Sequence, residues 1–129
     1  MPFITEALDD VHEPKPAPDG EYELQIIKAE ERESKNTGRE MMVVSVKFVD
    51  PDIEAPPFQH YLLKWTDEDD DAQVRMRKLE IKRFCQCFDL PPDFGEEDLA
   101  GATGLSYVVQ EEGDDGVVRN RMRLPKLKE

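Results

Sequence analysis

Gly20-Glu-Tyr-Glu-Leu-Gln-Ile-Ile-Lys-Ala-Glu30, Met41-Met-Val-Val-Ser-Val-Lys-Phe-Val49 and Phe58-Gln-His-Tyr-Leu-Leu-Lys-Trp65 are three runs of strand-forming residues bounded by turn formers. The middle run alternates, with Met42, Val44, Val46 and Phe48 on one face and Val43, Ser45 and Lys47 on the other. In the first run Tyr22, Leu24 and Ile26 share a face opposite Ile27 and Ala29. The third sets Phe58, His60, Leu62 and Lys64 against Gln59, Tyr61, Leu63 and Trp65; both faces mix apolar and polar members, so its buried side stays open. A polar loop with Arg32, Lys35, Asn36 and Gly38 joins the first two runs, and Arg39 opens the second. Asn-Thr-Gly suits a tight turn with a positive φ at the glycine. Asp50 to Pro57 carries three prolines and cannot continue a central strand, because proline lacks the ladder donor.

Downstream, Thr66-Asp-Glu-Asp-Asp-Asp71 breaks the sheet and ends in helix-capping residues, Asp70 or Asp71 being the natural N-cap. The run lacks the spaced acids and glycine of an EF-hand loop. Residues 72–88 read as an amphipathic helix. Val74, Ile81, Phe84, Cys85 and Phe88 share a face with Leu79 at its edge, while Arg75, Arg77, Lys78, Lys82 and Arg83 cover much of the rest and are read as a solvated surface. Cys85 and Cys87 diverge by roughly 200° around a helix and cannot chelate one ion, so they are read as small buried hydrophobes. Pro91-Pro92 ends the helix, and Asp93 to Leu99 can add one acidic turn. A fourth strand over 105–110 and a fifth over 117–124 flank a hairpin loop with Asp115-Gly116 as its turn signal. The fifth places Arg119, Arg121 and Arg123 on one face and Asn120, Met122 and Leu124 on the other.

Upstream, residues 1–19 hold four prolines and an acidic centre and read as an extended or disordered lead-in to a domain over 20–129. That length suffices for a core without disulfide or metal. Met-Pro-Phe-Ile-Thr-Glu shows no secretory leader pattern and no apolar run approaches the ~20 residues of a membrane span. A cytoplasmic protein with reduced thiols, no membrane association and no cofactor is therefore expected. The net charge of −13 is local in origin. Three base-free runs, Thr66–Asp71, Asp93–Asp98 and Glu111–Asp115, hold five, four and four acids; the other seventeen acids balance the seventeen bases. A basic surface elsewhere is thus compatible with an acidic chain.

Three strands, a helix and a two-strand hairpin is the chain order of the OB-fold: an all-β, five-stranded Greek-key barrel with one helix between strands three and four. A small α+β sandwich with the helix across an open sheet is the alternative. Several motifs in order carry a family resemblance: Gly20-x-Tyr22, Ser34-Lys-Asn-Thr-Gly-Arg39, Met42-x-Val-x-Val-x-Phe48, Lys82-Arg-Phe-Cys85, Leu99-Ala-Gly101 and Asn120 with Leu124-Pro125. Over about 20–127 the chain resembles small phage-encoded proteins found beside recombination and replication genes, taken as single-stranded DNA-binding proteins or relatives. Many phage and bacterial single-stranded DNA-binding proteins end in an acidic, partner-recruiting tail; this sequence ends Leu-Pro-Lys-Leu-Lys-Glu, so recruitment by such a tail is not expected.

The functional expectation is sequence-tolerant binding of single-stranded DNA in phage replication or recombination. Arg32, Lys35, Arg39, Lys47, Arg119, Arg121 and Arg123 would contact phosphates, and Tyr61, Trp65 or Tyr107 would stack on bases. Tyr61 and Tyr107 fit core or rim packing equally well. Recombination or replication proteins and further copies of the chain are the other candidate partners. The competing reading is a protein–protein adaptor or virion component, motivated by the acidity. An enzyme is not expected: two distant histidines, no Gly-rich phosphate loop and no Ser/His/Asp or metal-ligand spacing leave nothing to run chemistry.

Overall fold

Residues 3–9, 14–33 and 38–127 are described by the structure, a computed structural model. Five antiparallel strands, β1 (Gly20–Glu33), β2 (Glu40–Phe48), β3 (Phe58–Leu63), β4 (Thr103–Glu112) and β5 (Val118–Arg123), form one sheet in the order β3-β2-β1-β4-β5. Helix α1 (Asp71–Phe88) and the short α2 (Glu96–Leu99) lie between β3 and β4. The sheet curls into an OB-like half-barrel: its edges β3 and β5 approach each other without joining in the hydrogen-bonded ladder. Among the described residues no helix is long and apolar enough to cross a membrane.

The alternation of β2 sets the inner surface. Val44, Val46 and Phe48 are buried; the register partners Ile26, Leu24 and Phe58 bury with them, as does Leu62 opposite Met42, which decides the face of β3. His60 therefore points inward with Phe58 and Leu62. On β1 the expected alternation fails after Ile26. A bulge at Ile27 leaves that residue exposed and turns Ala29, not Lys28, towards the core. One extra residue on one strand reverses the parity of everything beyond it.

Asp70 caps α1 with a full capping box: its carboxylate accepts from Gln73 N–H (2.8 Å) and Gln73 Oε1 accepts from Asp70 N–H (3.0 Å). At the other end Asp89 adopts the left-handed conformation (φ 53°), and the N–H groups of Asp89 and Leu90 close on the carbonyls of Gln86 and Cys85. Phe84 and Phe88 lie 5.0 Å apart between ring centres, both buried, and seal one end of the barrel against β3 and β4. Close approach at this seal excludes a side chain from Gly104, where a Cβ would collide with the Cys87 carbonyl. Cys85 and Cys87 are free thiols; burial pushes Cys87 up to about 11, and its Sγ donates to Leu105 O.

Residues 14–19 have no regular secondary structure but are fastened to the barrel. Asn120, buried on β5, accepts from Ala17 N–H (2.8 Å) and donates to Ala17 O (2.9 Å). Gln110 Nε2 donates to Ala17 O, and Asp19 accepts from Gln110 N–H. The Asn120 amide thus pairs with the chain as a neighbouring strand would, and Ala17 is buried behind it. Asn120→Ala would leave the Ala17 N–H unpaired, at about 1–3 kcal/mol for a buried group left without a partner. Urea unfolding should show a lower midpoint at unchanged m-value; a change below ~0.5 kcal/mol would remove this pairing from the supports of the fold.

Candidate nucleic-acid interface

Pairing registers define the outer surface of the sheet. It carries Gln59, Tyr61 and Leu63 on β3, Met41, Val43, Ser45 and Lys47 on β2, and Glu21, Glu23, Lys28, Glu30 and Arg32 on β1. From β4 come Leu105, Tyr107, Val109 and Glu111, and from β5 Arg119, Arg121 and Arg123. Six bases (Lys28, Arg32, Lys47 and the three arginines) face four acids (Glu21, Glu23, Glu30 and Glu111), so this surface is net positive on a chain of −13. Tyr61 is 51% exposed and Tyr107 48%, which places both rings on the surface rather than in the core.

Two clusters emerge. Tyr107 sits directly opposite Arg123, with Arg121 and Arg119 following on the same face of β5. Tyr61 sits opposite Val43, and Arg32 one register step away opposite Met41; Tyr61 also donates to Gln59 Oε1 (2.9 Å). Tyr61 and Tyr107 stand three strands apart, ~14 Å by strand spacing, and they are also displaced along the strands: Tyr61 is level with Glu30 of β1 and Tyr107 with Glu21, ~30 Å by strand rise. The curl brings the β3 edge, which carries Tyr61, towards β5, the strand paired with that of Tyr107.

The predicted phosphate contacts are not equally available. Lys47 is exposed, and Arg123 makes no ion pair among the described residues. Arg32 pairs with Glu30 (2.8 Å), Arg119 with Asp115 (2.8 Å) and Arg121 with Glu111 (2.6 Å), all well exposed. The Arg119 guanidinium, helped by the Val117 N–H, holds the Asp115 carboxyl at about 2. Arg39 is differently placed. It donates with two nitrogens to Asp69 (2.7 and 2.9 Å) and also to Lys64 O, with side chains only 18% and 6% exposed. It ties the start of β2 to the loop before α1, and Asp69 is held at about 2, first by Arg39 and then by the Thr66 N–H. Lys35 lies outside the described residues.

Trp65 belongs to a second feature, a groove of about 1140 Å3 between α1 and the ends of β1, β2 and β3. Met41, Met42, Leu62 and Ile81 line it, Lys78 Nζ stands 5.0 Å above the Trp65 ring, and Lys82 is on the same wall. Lys78 and Lys82, read from sequence as part of a solvated face, are thus wall residues. Their spacing of four put them on one side of the helix, but only the packed structure shows which side borders a cleft. Among the described residues no cluster of acids, cysteines and histidines has the make-up of a metal site.

A family profile described as Protein of unknown function (DUF669) matches residues 5–89. The chain belongs to this family. The DUF669 match takes in β1–β3 and α1, hence Tyr61, Trp65 and most of the groove, and stops before the hairpin that carries Tyr107 and the arginines. No curated protein matches the sequence.

Behind the outer surface, His60 stacks on Phe84 (6.0 Å between centres, 9° between planes), and its buried Nε2 has no hydrogen-bond partner among the described residues. Burial lowers its pKa to about 4, with the Arg121 charge across the β3–β5 seam adding to the effect. A folded-state pKa below the ordinary 6.5 means the unfolded chain binds the proton first. Stability is therefore full above about 6.5, falls as pH drops, and levels off below about 4. The decrease is on the order of 3 kcal/mol. His60→Phe should remove this dependence: the stability of wild type relative to the variant, from urea unfolding, should fall as pH drops from about 7.5 to about 4, and parallel curves would refute it.

Proposed function

We propose that the protein binds single-stranded DNA, without sequence preference, along the outer face of the sheet. The observation that carries this reading is the pairing of exposed aromatic rings with cations there: Tyr107 beside Arg123 and Tyr61 near Arg32, on a net-positive surface of a strongly acidic chain. Bases stack on the two tyrosines, which every base can do, while Lys47, Arg121 and Arg123 meet phosphates. The OB-like curl supports the reading, since this architecture offers a curved sheet face to oligonucleotides. The resemblance to phage single-stranded DNA-binding proteins supports a role in phage DNA replication and recombination in the host cytoplasm. The protein acts in this reading as a binding protein, not an enzyme.

An adaptor role is favoured by a separate observation, the open groove beside Trp65. A nuclease-resistant complex with another protein would support it.

Anisotropy of a labelled oligo-dT, with a matched duplex as competitor, tests the DNA reading. The single strand should bind preferentially at low salt and weaken as salt rises. Tyr61→Ala and Tyr107→Ala should each weaken binding by ~1–3 kcal/mol, about 5- to 150-fold. Removing Arg121 and Arg123 together should flatten the salt slope by ~0.7 for each phosphate that is no longer neutralised. No binding at low salt, or full affinity in all these variants, would dismiss the proposal.

A further inference from the structure

The chain carries an apolar segment that nothing covers. All of residues 3–9 are exposed, including Phe3 (98%), Ile4 and Leu8, and Glu6 and Asp9 are interspersed among them. Three large apolar side chains on one short exposed segment are unlike the scattered apolar residues of an ordinary surface. The same chain carries a cleft with an apolar floor and charged walls, the groove beside Trp65. We propose that the groove of one copy receives residues 3–9 of a second copy of this chain. The inference does not rest on the DNA reading, although Arg32 and Met41 lie at the border that the groove shares with the outer face of the sheet.

Size, charge and reach argue for this occupant. At about 1140 Å3 the groove lies above the ~300–1,000 Å3 usual for a small-molecule cleft and suits several peptide side chains. Met41, Met42 and Trp65 provide apolar contact for Phe3, Ile4 and Leu8. On the α1 wall Lys82 makes no ion pair among the described residues and Lys78 has only the Trp65 ring, so Glu6 and Asp9 find cations there. The opposite wall carries Glu31 and Glu33, with Arg32 between them engaged by Glu30, so the acids of the segment are directed to the α1 wall.

Reach separates the second copy from the first. Ala17 is pinned by Asn120 and Gln110 beside the start of β1, whereas the groove opens at Glu31–Glu33, the far end of that strand. From Gly20 to Glu31, where the groove begins, β1 rises ~36 Å, and the nine steps from Ala17 to Leu8 span at most ~32 Å; along that path a chain can bring Phe3 and Ile4 to its own groove but not Leu8, so only a second copy seats the whole segment. Each copy offers both segment and groove, so two copies can exchange segments reciprocally.

The test uses the full chain, with sedimentation for association and Trp65 emission for the groove. Wild type should self-associate as concentration rises, with a parallel change in Trp65 emission. Phe3→Ala/Ile4→Ala/Leu8→Ala alters only exposed residues and should raise the dissociation constant about ten-fold or more. Lys78→Glu/Lys82→Glu should weaken self-association similarly, and mixing that variant with Glu6→Lys/Asp9→Lys should restore association. A wild-type monomer at every concentration overturns the proposal, as does association indifferent to the apolar triple change. Weakening on changing the segment but not on reversing Lys78 and Lys82 overturns the groove as its site. A monomer whose Trp65 emission shifts in the triple variant places the segment in its own chain's groove and equally overturns the second-copy assignment.

Discussion

Two hydrogen bonds to Ile26 hold the structure at the point where its central strand changes partners. Ile26 N–H donates to Ala102 O and Gly101 N–H donates to Ile26 O, both at 2.8 Å. Up to Gln25 β1 pairs with β4, Leu24 and Gln25 are flanked by both β4 and β2, and beyond Ile26 only β2 accompanies it to Glu33. Gly101, at φ 90°, turns the chain leaving α2 into this position, which L side chains rarely adopt. The bulge at Ile27 follows at once. Continued simple alternation would point Lys28 and Glu30 into the barrel and Ala29 out. The bulge reverses this, adds local twist, and gives the outer face Lys28 and Arg32. Core composition, curl and surface charge thus share one irregularity.

α1 completes what the curl begins. The half-barrel leaves an open end, and Phe84 and Phe88 close it only because the helix is fixed at both termini, by the Asp70 box and the Asp89 turn, and meets β4 where Gly104 leaves room. The Arg39–Asp69 bridge holds the loop before α1 to the start of β2. The groove is what remains between elements fixed in this way: α1 is anchored along β3 and β4, while the ends of β1 and β2 run past it.

Much of this was legible in the chain. The alternation of Met42 to Phe48, the proline-rich break after it, the capping acids before residue 72 and the Asp115-Gly116 turn identify five strands and one helix in order. The face of β3 was not legible, since His60 lies among Phe58 and Leu62; only cross-strand pairing with Val46, Val44 and Met42 selects it. The Ile27 bulge was hidden because Ile-Ile-Lys-Ala is compatible with either parity, and its cause lies in Gly101 and Ala102, far along the chain. At the candidate site the three arginines of β5 were read as one face, which pairing with Tyr107, Val109 and Glu111 repeats. That Arg39 is held by Asp69 could not be seen, because acids in a run give no sign of which one turns inward.

Ion pairing then ranks the cations of the proposed DNA site. An exposed pair contributes ~0–1 kcal/mol, because water competes for both partners and salt screens them. Glu111 on Arg121 and Asp115 on Arg119 are of this kind, so a phosphate can take the place of either carboxylate at little cost. Arg39 differs on each count: two nitrogens are engaged by one carboxylate, a third hydrogen bond goes to a backbone carbonyl, and both side chains are largely shielded. Withdrawing it would strand Asp69 and loosen the α1 entry, so its charge serves the fold. The cations left to a ligand are those on the outer sheet face, and the acids beside them exclude weakly held anions while yielding to a polyanion that engages several cations at once.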